Sequence, residues 1–154
     1  GVMQVLNHLI TEPDDHEWMY IPEVVYPDHR DPMEWRSFGW GLEPEAPHIQ
    51  GEVAFLISGR AISAAESFLG FVASYDLGAL VGGPTAGTNG NVNPFQVPGG
   101  YRISWTGMRV LKHDGSQHHL IGVLPTVPAE PTIEGVRQGR DEVLERALDI
   151  VRNE

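Results

Sequence analysis

The sequence predicts an α/β protein, on three observations. A strand–turn–helix–strand pattern runs from Glu52 to Gly82. Short strand-like segments follow it, separated by Pro98-Gly99-Gly100 and Asp114-Gly115 turns. Two helical stripes then close the chain. A parallel crossover unit with added hairpin strands and terminal helices satisfies all three.

The crossover unit opens with the apolar run Val53–Ile57, which stops at Ser58-Gly59-Arg60. Phe68, Phe71, Val72 and Tyr75 then recur at i, i+3, i+4 and i+7, one face of a helix. Asp76-Leu77-Gly78 ends it, and Gly78 is expected in the left-handed position that follows a helix. Ala79-Leu80-Val81 supplies the second strand, reached by a right-handed crossover. Ser63 falls at the helix start, just past the C-terminal end of a buried strand, where open α/β folds place their chemistry. Two roles compete for it. Ser63-x-x-Glu66 matches a capping box, in which the hydroxyl accepts from the N–H three residues on and Glu66 reaches back. The pattern alone favours that role over a nucleophile.

Taken from the start, Val2, Val5, Leu6 and Leu9 predict a short amphipathic helix over residues 2–10, broken by Thr11-Glu12-Pro13. Residues 11–50 form a long excursion with six of the twelve prolines and three of the four tryptophans. Trp18–Pro22 and Val24–Tyr26 look extended, and their prolines assign them to edge strands. Trp35, Phe38 and Trp40 either line a cleft or fasten the excursion to the core. After the crossover unit, Gly82–Asn91 is glycine-rich, but no Gly-Lys-Ser/Thr and no helix follow, so it is neither a phosphate loop nor a dinucleotide fingerprint. Val92–Val97 and Tyr101–Trp105 make a hairpin, and Met108–Lys112 a further strand. His118–Val123 reads as strand. Thr132 caps one closing helix, which stops at Gly139. Asp141 caps the other, with Val143, Ala147, Ile150 and Val151 as its core stripe.

One domain over residues 1–154 is expected: the excursion 11–50, a core 51–131 and terminal helices 132–154. The net charge of −11 argues against nucleic acid and anionic membrane surfaces. Ten acids and two arginines in residues 1–50 put −8 of it there. Cysteine is absent, so there is neither a disulfide nor a thiolate metal site. His113, His118, His119 and Asp114 cluster in sequence. Neighbouring strand residues point to opposite faces, so at most one of His118 and His119 joins His113, a poor basis for a metal centre; no metal and no cofactor is expected. Ser116 sits on a flexible turn, a weaker nucleophile platform than Ser63. The chain starts at Gly1 and is expected to be a piece of a longer protein.

Ile62-Ser63-Ala64-Ala65-Glu66, Val81–Gly87 and Gly122-Val123-Leu124-Pro125-Thr126 occur in an order that resembles the tricorn-type and C-terminal-processing serine peptidases. The resemblance covers about residues 50–130 and implies the C-terminal half of a ClpP/crotonase-like core. It implies Ser63 as nucleophile, the Ala64 N–H as half of an oxyanion hole, and Gly87, Thr88 and Asn89 as a substrate-contacting loop. A peptide or protein would be the substrate, and the N-terminal remainder of the parent would be a partner. That remainder's strand being absent, an open sheet edge would favour a homo-oligomer.

Departures from the family pattern are specific. Thr88 stands where the processing branch has its lysine base, which excludes a Ser-Lys dyad in this segment. The tricorn branch takes a histidine base from well upstream; His48 lies at the wrong end of its strand for that role. Gln117, His118 and His119 stand where tricorn-type enzymes have a glutamate, so His119 is the expected replacement support, and Thr126 replaces an aspartate. The resemblance also leaves open a non-catalytic module binding an apolar ligand or peptide, as in retinoid-binding relatives. An acyl-CoA enzyme of the crotonase type rests on fold analogy alone.

Overall fold

The computed structural model describes residues 2–23, 28 and 34–152. Gly1 and the extended reading of Val24–Tyr26 lie outside the described residues. In chain order the elements are α1 (Val2–Asn7), β1 (Met19–Glu23), β2 (Glu34–Phe38), β3 (Ala54–Ile57), α2 (Ala64–Ser74) and β4 (Ala79–Gly82). Then come β5 (Val92–Gln96), β6 (Arg102–Thr106), β7 (Arg109–Val110), β8 (Val127–Pro128), α3 (Ile133–Arg137) and α4 (Glu142–Arg152). The fold is mixed α/β, as the sequence predicts.

The crossover unit forms as expected: β3 and β4 pair in parallel, Ala54 to Ala79 through Ile57 to Gly82, with α2 between them in sequence. β8 extends this sheet from β4, in the order β3-β4-β8. The sequence reading missed β8 because a strand of two residues, one of them Pro128, carries no alternation. Thr126 ties this edge down: its Oγ1 accepts from Leu80 N–H at 2.9 Å. Strand alternation divides the sheet between two faces. Ile57 and Leu80 join the main core with Leu69, Phe71 and Val72 of α2, while Val81 is buried outside that cluster. α4 packs on β3 and β4. Its predicted cap is present, Asp141 Oδ1 accepting from Leu144 N–H at 3.0 Å, as is that of α3, where Thr132 Oγ1 accepts from Gly135 N–H at 2.9 Å.

A second sheet fixes the excursion. β1 pairs antiparallel with β2 and β7, in the order β2-β1-β7. β1 is therefore central, not the edge strand that Pro22 suggested. β7 pairs only with Met19 and Tyr20, so among the described residues no strand stands on that side at Pro22, where the missing N–H breaks no ladder bond. The excursion's aromatics are fasteners. Phe71, fully buried on α2, meets Trp18 edge-on at 6.1 Å and stacks on Trp40 at 6.0 Å between ring centres. Trp35 instead covers Arg109, whose guanidinium lies 4.4 Å from its ring centre. Burying large aromatics in one cluster helps offset the entropy of ordering so long a connection.

The end of α2 differs from expectation. Asp76, at φ 51°, takes the left-handed position assigned to Gly78. Gly78 instead passes so close to the Val53 carbonyl that a Cβ there would collide with it. Tyr75 closes the helix with its hydroxyl on Asp14 Oδ1, and burial and that carboxylate push its pKa up to about 12. His118–Val123 is a turn, not a strand. The β5–β6 hairpin forms as predicted, with Phe95 and Trp105 edge-to-face at 5.3 Å.

His113 lies between His16, at 5.0 Å, and Phe71, at 4.7 Å between ring centres. Burial, then the neighbouring His16, lower its pKa below the ordinary histidine value; Asp14 and Asp114 oppose them weakly. The folded state thus holds His113 neutral where the unfolded chain protonates it. Its contribution to stability is complete above about pH 6.5 and is lost as pH falls below that value. The melting temperature should drop between pH 7 and 5, and His113→Phe should flatten that drop; an equally steep drop in the variant would contradict the assignment.

Candidate active site

Ser63 joins β3 to α2 in a backbone conformation that L residues rarely adopt, φ 54° and ψ −123°. Such a conformation costs on the order of 1–3 kcal/mol and persists only where the surroundings impose it. They do so here. The Ser63 N–H donates to the Thr88 carbonyl at 2.9 Å, and the Ser63 carbonyl accepts from Glu66 and Ser67 to start the helix. Its exposed side chain makes no capping hydrogen bond. The capping box is therefore absent. The hydroxyl is left free at the head of an 11-residue helix. Among the described residues the Ala64 N–H beside it has no acceptor, whereas the Ala65 N–H turns back to the Ile62 carbonyl at 3.1 Å. The free hydroxyl thus stands next to a free helix N-terminal amide, at the end of a helix that favours negative charge.

Glu66 does something other than reach back to Ser63. It is 1% exposed, and both carboxylate oxygens accept from the glycine-rich loop. Oε1 takes the Thr85 hydroxyl at 2.5 Å and the Gly87 N–H at 2.6 Å; Oε2 takes the Thr88 N–H at 2.8 Å. A carboxylate this buried is tolerated only with several donors on it. Thr85 Oγ1 also accepts the Val123 N–H at 2.8 Å, the Thr85 N–H donates to the Val123 carbonyl at 3.0 Å, and the Leu120 N–H donates to the Gly87 carbonyl at 2.9 Å. Gly-Pro-Thr-Ala-Gly and Gly-Val-Leu-Pro thus interlock backbone to backbone. Gly87 and Gly122, both at positive φ, are required by this approach. A Cβ on Gly122 would stand 2.5 Å from Thr85 Oγ1, and one on Gly87 2.8 Å from the Leu120 and Ile121 backbone.

Each residue of the expected site has a definite place. The Gly87 and Thr88 amides are committed to Glu66, which leaves the exposed Thr88 side chain free to meet a ligand. Asn89 Nδ2 donates to Ser67 Oγ at 2.9 Å. His119 is exposed, and the histidine facing the carboxylate is His118, 4% exposed, with Nε2 3.4 Å from Glu66 Oε2. That approach lacks hydrogen-bond alignment, for Nε2 has no partner among the described residues. The strand reading of residues 118–123 obscured His118; in a turn, alternation does not decide which histidine faces inward. No three His, Cys, Asp or Glu side chains among the described residues are grouped to hold a metal ion. A cleft of about 590 Å³ reaches Glu66 and His118, but Ser63 does not line it.

Glu66→Gln should cost about 2–4 kcal/mol in urea unfolding, because the amide turns an N–H toward groups that are themselves donors and the charge-assisted bonds are lost. Glu130→Gln, at an exposed site, should stay within about 0.5 kcal/mol. Equal stability of Glu66→Gln and wild type would contradict the clasp.

The model of peptidase family S41 matches residues 20–129, which include Ser63, Glu66 and both interlocked loops. No curated protein matches the sequence significantly. Among solved structures, a candidate peptidase from Parabacteroides merdae superposes with a TM-score of 0.80 at 17% identity, over 98% of this chain and 47% of that one. Mature CPAF complexed with lactacystin gives 0.76 at 16%, over 98% and 40%. The tricorn protease gives 0.64 at 17%, over 96% and 13%. The chain thus spans less than half the length of these structures, and at such identities they establish the fold alone. The family match covers most of the chain and carries the motifs whose geometry is described above: this chain belongs to peptidase family S41.

Proposed function

We propose that this chain carries the nucleophilic half of a serine peptidase. The observation that supports it most is the strained Ser63, its hydroxyl free beside the free Ala64 N–H. In this reading Ser63 Oγ bonds to the peptide carbonyl carbon and its proton passes to a general base. The oxyanion is held by the Ala64 N–H. The C–N bond then breaks as the base returns the proton to the leaving amine, and water releases the acyl group by the same route. Among the described residues no side chain is bonded to Ser63 Oγ, and in this reading the base comes from the N-terminal remainder of the parent. The length of the solved structures supports such a remainder. Among the described residues β3 ends its sheet, and its outer edge is the proposed place for the remainder, or for a second copy of the chain, to pair. Peptides or proteins are the proposed substrates.

Two outcomes test this. Ser63→Ala and Ser63→Asn should melt like wild type, since neither loses a cap, while Ser63→Gly should gain about 1 kcal/mol by relieving the positive φ. In the full-length parent, Ser63→Ala should lower turnover on the order of a million-fold, and a fluorophosphonate should label wild type at Ser63 only. Full activity of that variant would rule out Ser63 as the nucleophile, whereas absence of both turnover and labelling in the wild-type parent would leave a binding module as the better account. The 154-residue chain alone should not hydrolyse casein; Ser63-dependent hydrolysis would place the base within it.

A further inference from the structure

The β5–β6 hairpin carries an apolar face that the described residues leave uncovered. Both strands are exposed along their whole length, and they form a sheet of two. Such a ribbon is marginal by itself; further strands beside an apolar face make it stable. Phe95 pairs with Ile103, and Trp105, two residues on, meets Phe95 edge-to-face. These three are 43%, 45% and 48% exposed. The two outer edges of the hairpin differ. The Val97 N–H donates across the hairpin to the Tyr101 carbonyl at 2.9 Å, so these two form a hydrogen-bonded pair. Hydrogen-bonded and non-bonded pairs alternate along an antiparallel ladder. Phe95–Ile103 and Asn93–Trp105 therefore turn their backbone groups inward, while Val92, Pro94, Gln96, Arg102, Ser104 and Thr106 turn theirs outward. On the β5 edge Pro94 interrupts the row, having no N–H. The β6 edge is complete: the backbone groups of Arg102, Ser104 and Thr106 have no backbone partner among the described residues. An intact edge of this kind recruits another strand.

The residues of β6 fit that edge to its own copy. Paired antiparallel about a two-fold axis at Ser104, two β6 strands engage all three outward residues of each. Ser104 then meets Ser104 of the second copy, and Arg102 meets its Thr106. Ile103 falls directly opposite Trp105 of the other chain, twice by symmetry, an aromatic–β-branched pair of the kind that stabilises sheets. The edge is thus self-complementary, as a two-fold contact requires. Every other register engages fewer of the three, and the one centred on Arg102 sets like charges opposite each other. Charge selects the same surface. Two chains of net charge −11 repel, but Val92–Thr106 holds no acid and a single base, Arg102. We propose that this chain forms a homodimer by antiparallel pairing of β6 with β6 of a second copy, which joins the two hairpins into one four-stranded sheet. The contact is separate from the β3 edge and does not depend on the role of Ser63.

Sedimentation of the chain at micromolar concentration should show a dimer. The chain has no cysteine, so Ser104→Cys brings in a single thiol. A short bismaleimide should join that thiol between copies and should not join Gln96→Cys, which lies on β5. Ser104→Pro removes an outward N–H without breaking a bond inside the hairpin, and should weaken the dimer on the order of tenfold or more. Gln96→Pro does the same to the β5 edge and should leave the dimer unchanged. Ile103→Lys, which removes the contact with the opposing tryptophan, should also weaken it on the order of tenfold, with unchanged far-ultraviolet circular dichroism. A monomer at every concentration, equal crosslinking of the two cysteine variants, or equal weakening by the two prolines would overturn the proposal. So would a dimer that survives both Ser104→Pro and Ile103→Lys, which would place the contact elsewhere, such as the β3 edge. Loss of the Ser104→Cys crosslink in the full-length parent would show that the remainder of the parent covers β6, and would overturn it as well.

Discussion

One buried carboxylate sets the geometry around Ser63. Glu66, in the first turn of α2, gathers a hydroxyl and two amides from the loop that leaves β4. Remove it and those donors are left inside the protein without partners, a cost comparable to a sizeable fraction of a small domain's stability. Through Thr85 the same clasp reaches the Gly122-Val123 turn, so two segments distant in sequence are held to the helix that follows β3. The order of the three motifs in the chain reflects this: each supplies one side of a single hydrogen-bonded knot.

The clasp also acts on the serine. Glu66 fixes Thr88 by its N–H, and the Thr88 carbonyl in turn holds the Ser63 N–H. With its amide turned to that loop and its carbonyl to the helix, Ser63 is forced into its rare backbone conformation, its side chain projecting to solvent. A relaxed serine at this place would cap the helix and lose its free hydroxyl. Strain, helix start and exposure are thus one arrangement, in which aromatic packing of α2 against Trp18 and Trp40 keeps the helix where the loop meets it.

Much of this was legible before any coordinates. The apolar run, the helical stripe and the second short run specify the crossover unit, and the Thr132 and Asp141 caps follow from local chemistry. The failures have physical causes. Ser63 and Glu66 have the spacing of a capping box, but the tertiary loop offers the carboxylate better donors than one backbone amide at the helix start. Pro22 marks an edge only locally, because its strand is central at Met19 and Tyr20. The turn at residues 118–123 has an apolar content that mimics a strand, and so it hid which histidine faces Glu66. β2 was missed because Glu34–Phe38 alternates poorly and its pairing with β1 is decided across the sheet.

Amide hydrogen exchange, resolved residue by residue, tests the clasp most directly. If Glu66 holds the loop, the Gly87 and Thr88 amides exchange slowly in the wild-type chain and become fast together in Glu66→Gln, while the Ala64 amide is fast in both. Fast exchange at Gly87 and Thr88 in the wild type, with a protected amide at Ala64, would contradict the account.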